Sequence, residues 1–297
     1  MYSATVKSYA KINLTLDIVG RVDEFHALDS FVAGLDIFNL VTVKKRKDKL
    51  VSGRLKGMGM DAVPFESTTV CKVAEAFIDR FGVSGVDITV YENIPVGAGL
   101  GGSSADAAGA LKAMCKIFGV AIEECYELAN KYGSDIRYML EGGFARMTGK
   151  GERIEKLENS NLESLNFLLL CPQTPTLAKD CYREYDRIEK QALLRTEQAI
   201  AAYLDGDLQT LGLALGNDLF EPAKLLNADV GRAYEELLSF SPLGVSMTGS
   251  GSCVFALFEN REFCEWAKSR YKGKFRAIVC RTFDEQHSKI FKNPFAL

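Results

Sequence analysis

Residues 95–111 read PVGAGLGGSSADAAGAL, with four glycines inside the six positions 97–102. So much backbone freedom is costly to order, and the pattern around it points to one chemistry. A β-rich segment precedes the loop and an alanine-rich helical stripe follows it. Glycine permits positive φ and keeps a Cβ out of the way of an approaching ligand. The first helical turn offers N–H groups with no intrahelical partner, and the helix dipole favours an anion there. Ser103 and Ser104 add hydroxyls at the same place. The loop therefore reads as a phosphate cradle. It is not a Walker A loop, because GxxxxGK followed by Ser or Thr needs a lysine that is absent. Gly97, Gly99 and Gly102 satisfy GxGxxG, but a dinucleotide fold wants an acidic residue about 20 positions on, after a second strand. Glu123 and Glu124 fall at a helix start instead. The alternative is a tight strand-to-helix packing turn that binds nothing.

Other reactive residue types exclude more than they suggest. The only histidines are His26 and His287, and a histidine-rich zinc site or a Ser-His-Asp triad is hard to build from them. The eight cysteines are scattered with no CxxC pair, as expected of reduced core thiols. Lys and Arg number 36 against 39 Asp and Glu, a net charge of −3, which argues against a nucleic-acid or membrane-surface binder. The basic run Lys44 to Lys49 is read as a solvated hairpin end rather than a nucleic-acid patch. The apolar stretch 165–171 is far too short to span a bilayer. The N-terminal residues lack a signal-peptide core, and a cytoplasmic protein is expected.

The elements that would position the loop follow from periodicity. Residues 5–19 read as strand, and 39–55 as two strands joined by the basic turn. A helix is predicted over 69–81, with Val70, Val73, Ala74, Phe77 and Phe81 on one face and Gly82 ending it. A strand covers 86–95, with Val86, Ile88 and Val90 on one side. After the loop, Ala107, Ala108, Leu111, Met114, Cys115 and Phe118 form a helical stripe stopped by Gly119, and a further helix covers 122–132. Glycine-bearing turns lie within 141–152 and 247–258. The polar span 153–164 places a domain boundary near 158/159. Beyond it come a strand at 165–171, helices near 178–204, 207–217 and 228–239, a strand at 252–258, a helix at 261–270 and a strand at 274–281.

Pro95 to Ala108 resembles the phosphate-binding motif of the GHMP kinase superfamily, and its longer glycine form is most like the branch acting on a cytidylylated methylerythritol. Residues 9–30 (YAKINLTLDIVGRVDEFHALDS), 133–152, 217–223 (NDLFEPA) and 247–258 (MTGSGSCVFALF) resemble that family's other landmarks in order and spacing. The resemblance implies a two-domain α+β fold, with an ATP-binding N-terminal domain of the ribosomal protein S5 domain 2 type over 1–158 and a ferredoxin-like domain over 159–297. It implies transfer of the ATP γ-phosphate, with Mg²⁺, to a hydroxyl of a small cytidylated sugar alcohol. Asp135 is then the expected base and Lys11 its charged companion. Pro95, Val96, Gly97, Ala98, Gly99, Leu100, Gly101, Gly102, Ser103, Ser104 and Ala105 would hold ATP. Asn13, Phe25, His26, Thr176, Gly249 and Ser250 would face the acceptor, with Phe25 and His26 at its cytosine. No protein metal ligand is implied.

The pattern departs from the family at several positions. Phe25 replaces the usual tyrosine, Arg137 a proline, and Tyr9 another proline. Ser103 stands for a glycine and Ala105 for a serine. A kinase with a homoserine- or mevalonate-type acceptor, and a non-catalytic ATP-binding relative, remain the competing readings.

Overall fold

The computed structural model describes residues 1–283 except 159, 161, 163 and 189–193. The chain begins with Ser3–Asn13 (β1), whose Ala4, Val6, Ser8 and Ala10 alternate inward. It continues through Thr15–Val22 (β2), Phe25–Lys45 (β3), Val51–Lys56 (β4), helix Thr69–Phe81 (α1) and Val86–Tyr91 (β5). Helices Gly102–Phe118 (α2), Tyr126–Tyr132 (α3) and Ser134–Glu141 (α4) follow, then Phe144–Gly149 (β6), Arg153–Lys156 (β7) and Asn166–Cys171 (β8). The remainder is Ala178–Tyr185 (α5), Thr196–Asp205 (α6), Leu208–Ala214 (α7), Gly216–Asn217 (β9), Phe220–Leu226 (α8), Ala228–Leu238 (α9), Gly244–Met247 (β10), Val254–Phe258 (β11), Arg261–Arg270 (α10) and Arg276–Arg281 (β12).

These elements form two compact units. One contains Met1–Ala10, Ile37–Val96 and Gly101–Glu141; the other contains Lys11–Asp36, Gly97–Leu100 and the chain from Gly142 onward.

In the first unit α1 begins where Thr68 Oγ1 accepts the Cys71 N–H at 3.2 Å, and ends at Gly82 with φ 65°. Its Val70, Val73, Ala74, Phe77 and Ile78 are buried. β5 pairs in parallel with β4 and antiparallel with the end of β3, so its inward Val86, Ile88 and Val90 are flanked on both sides. The expected hairpin over 39–55 is thus corrected: β5 lies between β3 and β4. The basic turn is solvated, and Arg46 is forked onto Asp48 at 2.7 Å through both Nε and Nη2.

In the second unit β2 pairs with the start of β3, β6 pairs with β3 over Leu28–Ala33, and β7 closes a hairpin on β6. The span 153–164, read as polar and aperiodic, therefore opens with a strand. A separate antiparallel sheet has the order β10-β11-β8-β12. With intervening helices its chain order is β-α-β-β-α-β, the ferredoxin-like arrangement. Leu168, Leu170, Val245, Met247, Val254 and Ala256 of this sheet bury against Val230, Ala233 and Leu237 of α9 and Cys264 and Ala267 of α10. Each such large side chain contributes about 1.5–3 kcal/mol when fully buried.

Other boundaries moved. The strand expected over 5–19 breaks at Leu14, whose N–H turns to Phe31 O at 2.8 Å. Residues 122–125 form a 3₁₀ turn before α3. The long helix expected over 178–204 is two helices, α5 and α6, and its middle, 189–193, lies outside the described residues. The start of α6 is pinned by Asp17, which accepts the N–H groups of Arg195 and Thr196 at 2.7 and 2.8 Å.

Candidate active site

Lys11 ends the alternation of β1 with an inward-facing charge, only 5% exposed. A buried ammonium must be hydrogen-bonded, and Lys11 Nζ donates to Asn13 Oδ1. Asn13 Nδ2 donates to Ser30 Oγ at 2.8 Å. The Lys11 N–H donates to Leu100 O at 3.1 Å, which ties this strand to the glycine loop. Thr248 makes the second tie: its Oγ1 accepts the Asn13 N–H at 3.0 Å and donates to Gly99 O at 3.1 Å. Asn217 Nδ2 donates to the carbonyls of Met247 and Gly249 at 2.7 and 2.8 Å, and a Cβ on Gly249 would stand 3.5 Å from Lys11 Nζ. The second unit thus gathers Lys11, Asn13, Gly97–Leu100 and Gly249 around one node. Thr248, which makes that node, lies inside the 247–258 landmark, but sequence reasoning did not single it out.

The loop glycines have a cause that the sequence reading assigned elsewhere. Gly97 and Gly99 have φ of 65° and 74°. A Cβ on Gly97 would come within 2.5 Å of Pro175 Cβ, and one on Gly99 would run into the Thr248 carbonyl oxygen. At these two positions the close approach that requires glycine is made by the protein's own chain. Val96 is exposed, while Pro95, Ala98 and Leu100 are buried.

Thr176 and Ser250 lie together in the same unit, Ser250 Oγ donating to Thr176 O at 3.4 Å. Thr176 Oγ1 is buried with no hydrogen-bond partner, a condition shared among the described residues only by Ser246 Oγ.

Phe25 and His26 are neighbours in β3, so their side chains project to opposite faces. Phe25 is 57% exposed, and Lys150 Nζ lies 4.6 Å from its ring centroid. His26 instead stacks on Tyr182, centroids 4.8 Å apart and planes 18° off parallel, with Tyr185 edge-on at 5.7 Å. Its Nε2 meets Asp186 Oδ1 at 2.9 Å.

In the first unit the loop runs into α2 through Gly101, whose φ is 73° and which makes no side-chain capping bond. The first turn of α2 holds no acidic residue. Ser103 is exposed and Ser104 half-buried. Ser8 Oγ donates to Ala105 O and seats this turn against β1. A Cβ on Gly133 would stand 3.9 Å from Ser104 Oγ, so the junction of α3 and α4 lies beside the α2 N-terminus. Asp135 is the second residue of α4 and half-buried. It sits in the first turn of that helix.

The first unit also holds a buried polar node. Asn39 Oδ1 accepts the N–H groups of Asn93 and Ile94 at 2.7 and 2.8 Å, and its Nδ2 donates to Asp106 Oδ1 at 2.7 Å and to Glu92. Burial raises the affinity of both carboxyls for protons, well above the ordinary range for Asp106, which also faces the Glu92 charge. The folded chain therefore keeps a proton here that the unfolded chain releases above about pH 4. Stability fully present below that pH is lost as pH rises through the folded pair's titration. Asp106→Asn, which needs no shared proton, is expected to exceed wild type in urea resistance at pH 7–8. The gain should vanish toward pH 4, at about 1.4 kcal/mol per unit of raised pKa. Parallel curves for the two proteins across pH 4–8 would overturn the shared proton.

Comparison with known proteins gives this geometry its context. Residues 68–145 match the GHMP kinases N terminal domain and 190–263 the GHMP kinases C terminal domain. The chain is 31% identical over 286 residues to the 4-diphosphocytidyl-2-C-methyl-D-erythritol kinase of Caldanaerobacter subterraneus, covering 94% of this chain and 97% of that relative. This chain is a GHMP kinase. A relative of the same name from Clostridium beijerinckii is 30% identical, covering 93% of the kinase and 99% of the relative. The crystal structure of a 4-(cytidine 5'-diphospho)-2C-methyl-D-erythritol kinase superposes with a TM-score of 0.77 at 24% identity, covering 94% and 98%. Homoserine kinase from Cytophaga hutchinsonii gives 0.73 at 17% identity, covering 96% and 95%. These two likenesses show the two-domain fold. GHMP kinases use ATP as phosphate donor, and this kinase is a small-molecule kinase.

One departure from the family pattern has a local explanation. Arg137 Nε donates to Glu141 Oε1 at 3.0 Å along α4, and its guanidinium lies 4.6 Å from the Tyr126 ring centroid. It ties α4 to α3 within the kinase's first unit. No helix among the described residues is long and apolar enough to cross a membrane.

Proposed function

We propose that this kinase transfers the γ-phosphoryl group of ATP to a hydroxyl of 4-diphosphocytidyl-2-C-methyl-D-erythritol, in the cytoplasm. The observation that carries the reading is likeness along nearly the whole chain, at about 30% identity, to relatives bearing that name. Residues 1–158 are taken as the ATP-binding domain and 159–297 as its C-terminal companion, a division by family role rather than by compactness. The amides of residues 101–105 and the Ser103 and Ser104 hydroxyls would grip the triphosphate. The acceptor O–H bond breaks as its oxygen bonds to the γ-phosphorus. The proton passes to the Asp135 carboxylate, and the bond from the γ-phosphorus to the bridging oxygen breaks to release ADP. Lys11 stabilises the negative charge that gathers on the reacting oxygens.

Among the described residues no group of three or more His, Cys, Asp or Glu side chains is placed to hold a metal. Mg²⁺ would enter with the nucleotide, where it would neutralise phosphate charge. Asn13, Gly249 and Ser250 would line the acceptor side. The orphaned Thr176 hydroxyl supports an acceptor oxygen there, because a buried unpaired polar group costs about 1–3 kcal/mol until satisfied.

Assay with ATP, Mg²⁺ and this acceptor, alongside homoserine and mevalonate, tests the reading: turnover of either of the latter alone would overturn it. Thr176→Val adds a sharper expectation. The free enzyme should melt no lower than wild type, since nothing satisfied is lost, while the acceptor KM rises roughly tenfold. A lowered melting temperature with unchanged KM would place the hydroxyl in the fold rather than at the substrate.

A further inference from the structure

The backbone bonds of the turn after β10 can be followed one by one. Asn217, in β9, is 7% exposed. Its Nδ2 donates to Met247 O and Gly249 O, and its Oδ1 accepts the Leu219 N–H at 2.9 Å. Thr248 O accepts the Gly251 N–H at 3.0 Å, and the Thr248 N–H donates to Cys253 O at 3.1 Å. The carbonyls of 247, 248 and 249 are therefore all engaged. The N–H groups of Gly249 and Ser250 meet no acceptor among the described residues. Both residues are half-buried, and folded chains pair nearly all the backbone donors they withdraw from water.

The direction of one of these donors is fixed. In a trans peptide the C=O and the next N–H point opposite ways, and the Gly249–Ser250 bond is trans. With Gly249 O drawn onto Asn217, the Ser250 N–H faces away from Asn217. A second open group lies at the same turn: Ser250 Oγ bonds Thr176 O, and the buried Thr176 Oγ1 has no partner. The Gly249 backbone also borders Lys11 Nζ. Donors gathered beside an ammonium suit an anionic oxygen. We infer that Asn217 is a positioning residue for the alcohol substrate: by taking the Met247 and Gly249 carbonyls it turns the Ser250 N–H outward as a donor to an anionic substrate oxygen, without touching the substrate itself. The inference rests on the substrate-side role proposed above for Gly249 and Ser250 and adds the residue that orients them.

Two variants and their combination test it. Asn217→Asp keeps the side-chain size and the acceptor for the Leu219 N–H, but an ionised carboxylate gives no hydrogen to the two carbonyls. Ser250→Pro deletes the N–H itself. Each should raise the KM for the alcohol roughly tenfold while the KM for ATP stays within about twofold. In the double variant Asn217→Asp should add less than about twofold to the effect of Ser250→Pro, because the donor it directs is already gone. Asn217→Gln, which retains a donor, should recover part of the loss. KM factors that multiply in the double variant, or KM values for ATP and alcohol that rise together, would make Asn217 a purely structural residue and overturn the inference. Should the proline variant not fold, the Ser250 amide proton decides: it should move downfield when the alcohol binds wild type and stay in place in Asn217→Asp. An amide proton unmoved in wild type would overturn the inference. Failure of wild type to use the cytidylylated alcohol would instead overturn the substrate reading, and the same variants would then be compared on whichever alcohol is turned over.

Discussion

Asp135→Asn is expected to lower kcat by about 10²–10⁴-fold, the range typical of general acid–base catalysis. Asparagine keeps the size of the side chain and its place in the first turn of α4, but it cannot take a proton from an alcohol. Asp135 lies in the same unit as the α2 N-terminus, and the junction before it abuts Ser104. The nucleotide dissociation constant should stay within about twofold, because the amides that would bind phosphate are untouched. Steady-state kinetics and ATP titration of the variant give both numbers. A kcat within a few-fold of wild type would remove Asp135 as the base and shift the proton to solvent or to phosphate itself.

Lys11→Met should separate activity from stability. The expected loss in kcat is about 10²–10³-fold, the effect of removing one preorganised donor from developing charge. Folding should suffer little. Methionine fills the same buried space, and taking a charge out of the interior offsets the donor lost to Asn13 Oδ1. A melting temperature within a few degrees of wild type, paired with a large kinetic defect, would assign the lysine to chemistry. Collapse of the melting temperature with activity retained in the folded fraction would make Lys11 a structural residue.

The helices with strong caps were legible from the chain. Thr68 and Gly82 bound α1 at its expected ends, and α10 spans the expected 261–270. The elements missed are short or lie where glycine dominates. β6 and β7 flank Gly149 and Gly151, β10 is four residues, and α4 starts one residue past a glycine that looks like a terminus. Pairing order was less legible than strand content, because β5 enters between β3 and β4 from far along the chain. The candidate residues could be singled out by motif, whereas the supporting role of their partners could not. Thr248, Asn39 and Asp186 act through partners 149, 67 and 160 positions away, and no local window holds both ends of such a bond.

The crowding at Gly99 bears on how this protein's history would be inferred. A side chain there collides with Thr248 whether or not a nucleotide ever binds. A descendant that had abandoned phosphoryl transfer would still be held to glycine at that position by its own folding. Retention of the glycine signature is thus a poor witness to surviving enzymatic activity, and a lineage's loss of catalysis would register first at positions that serve the chemistry and not the packing.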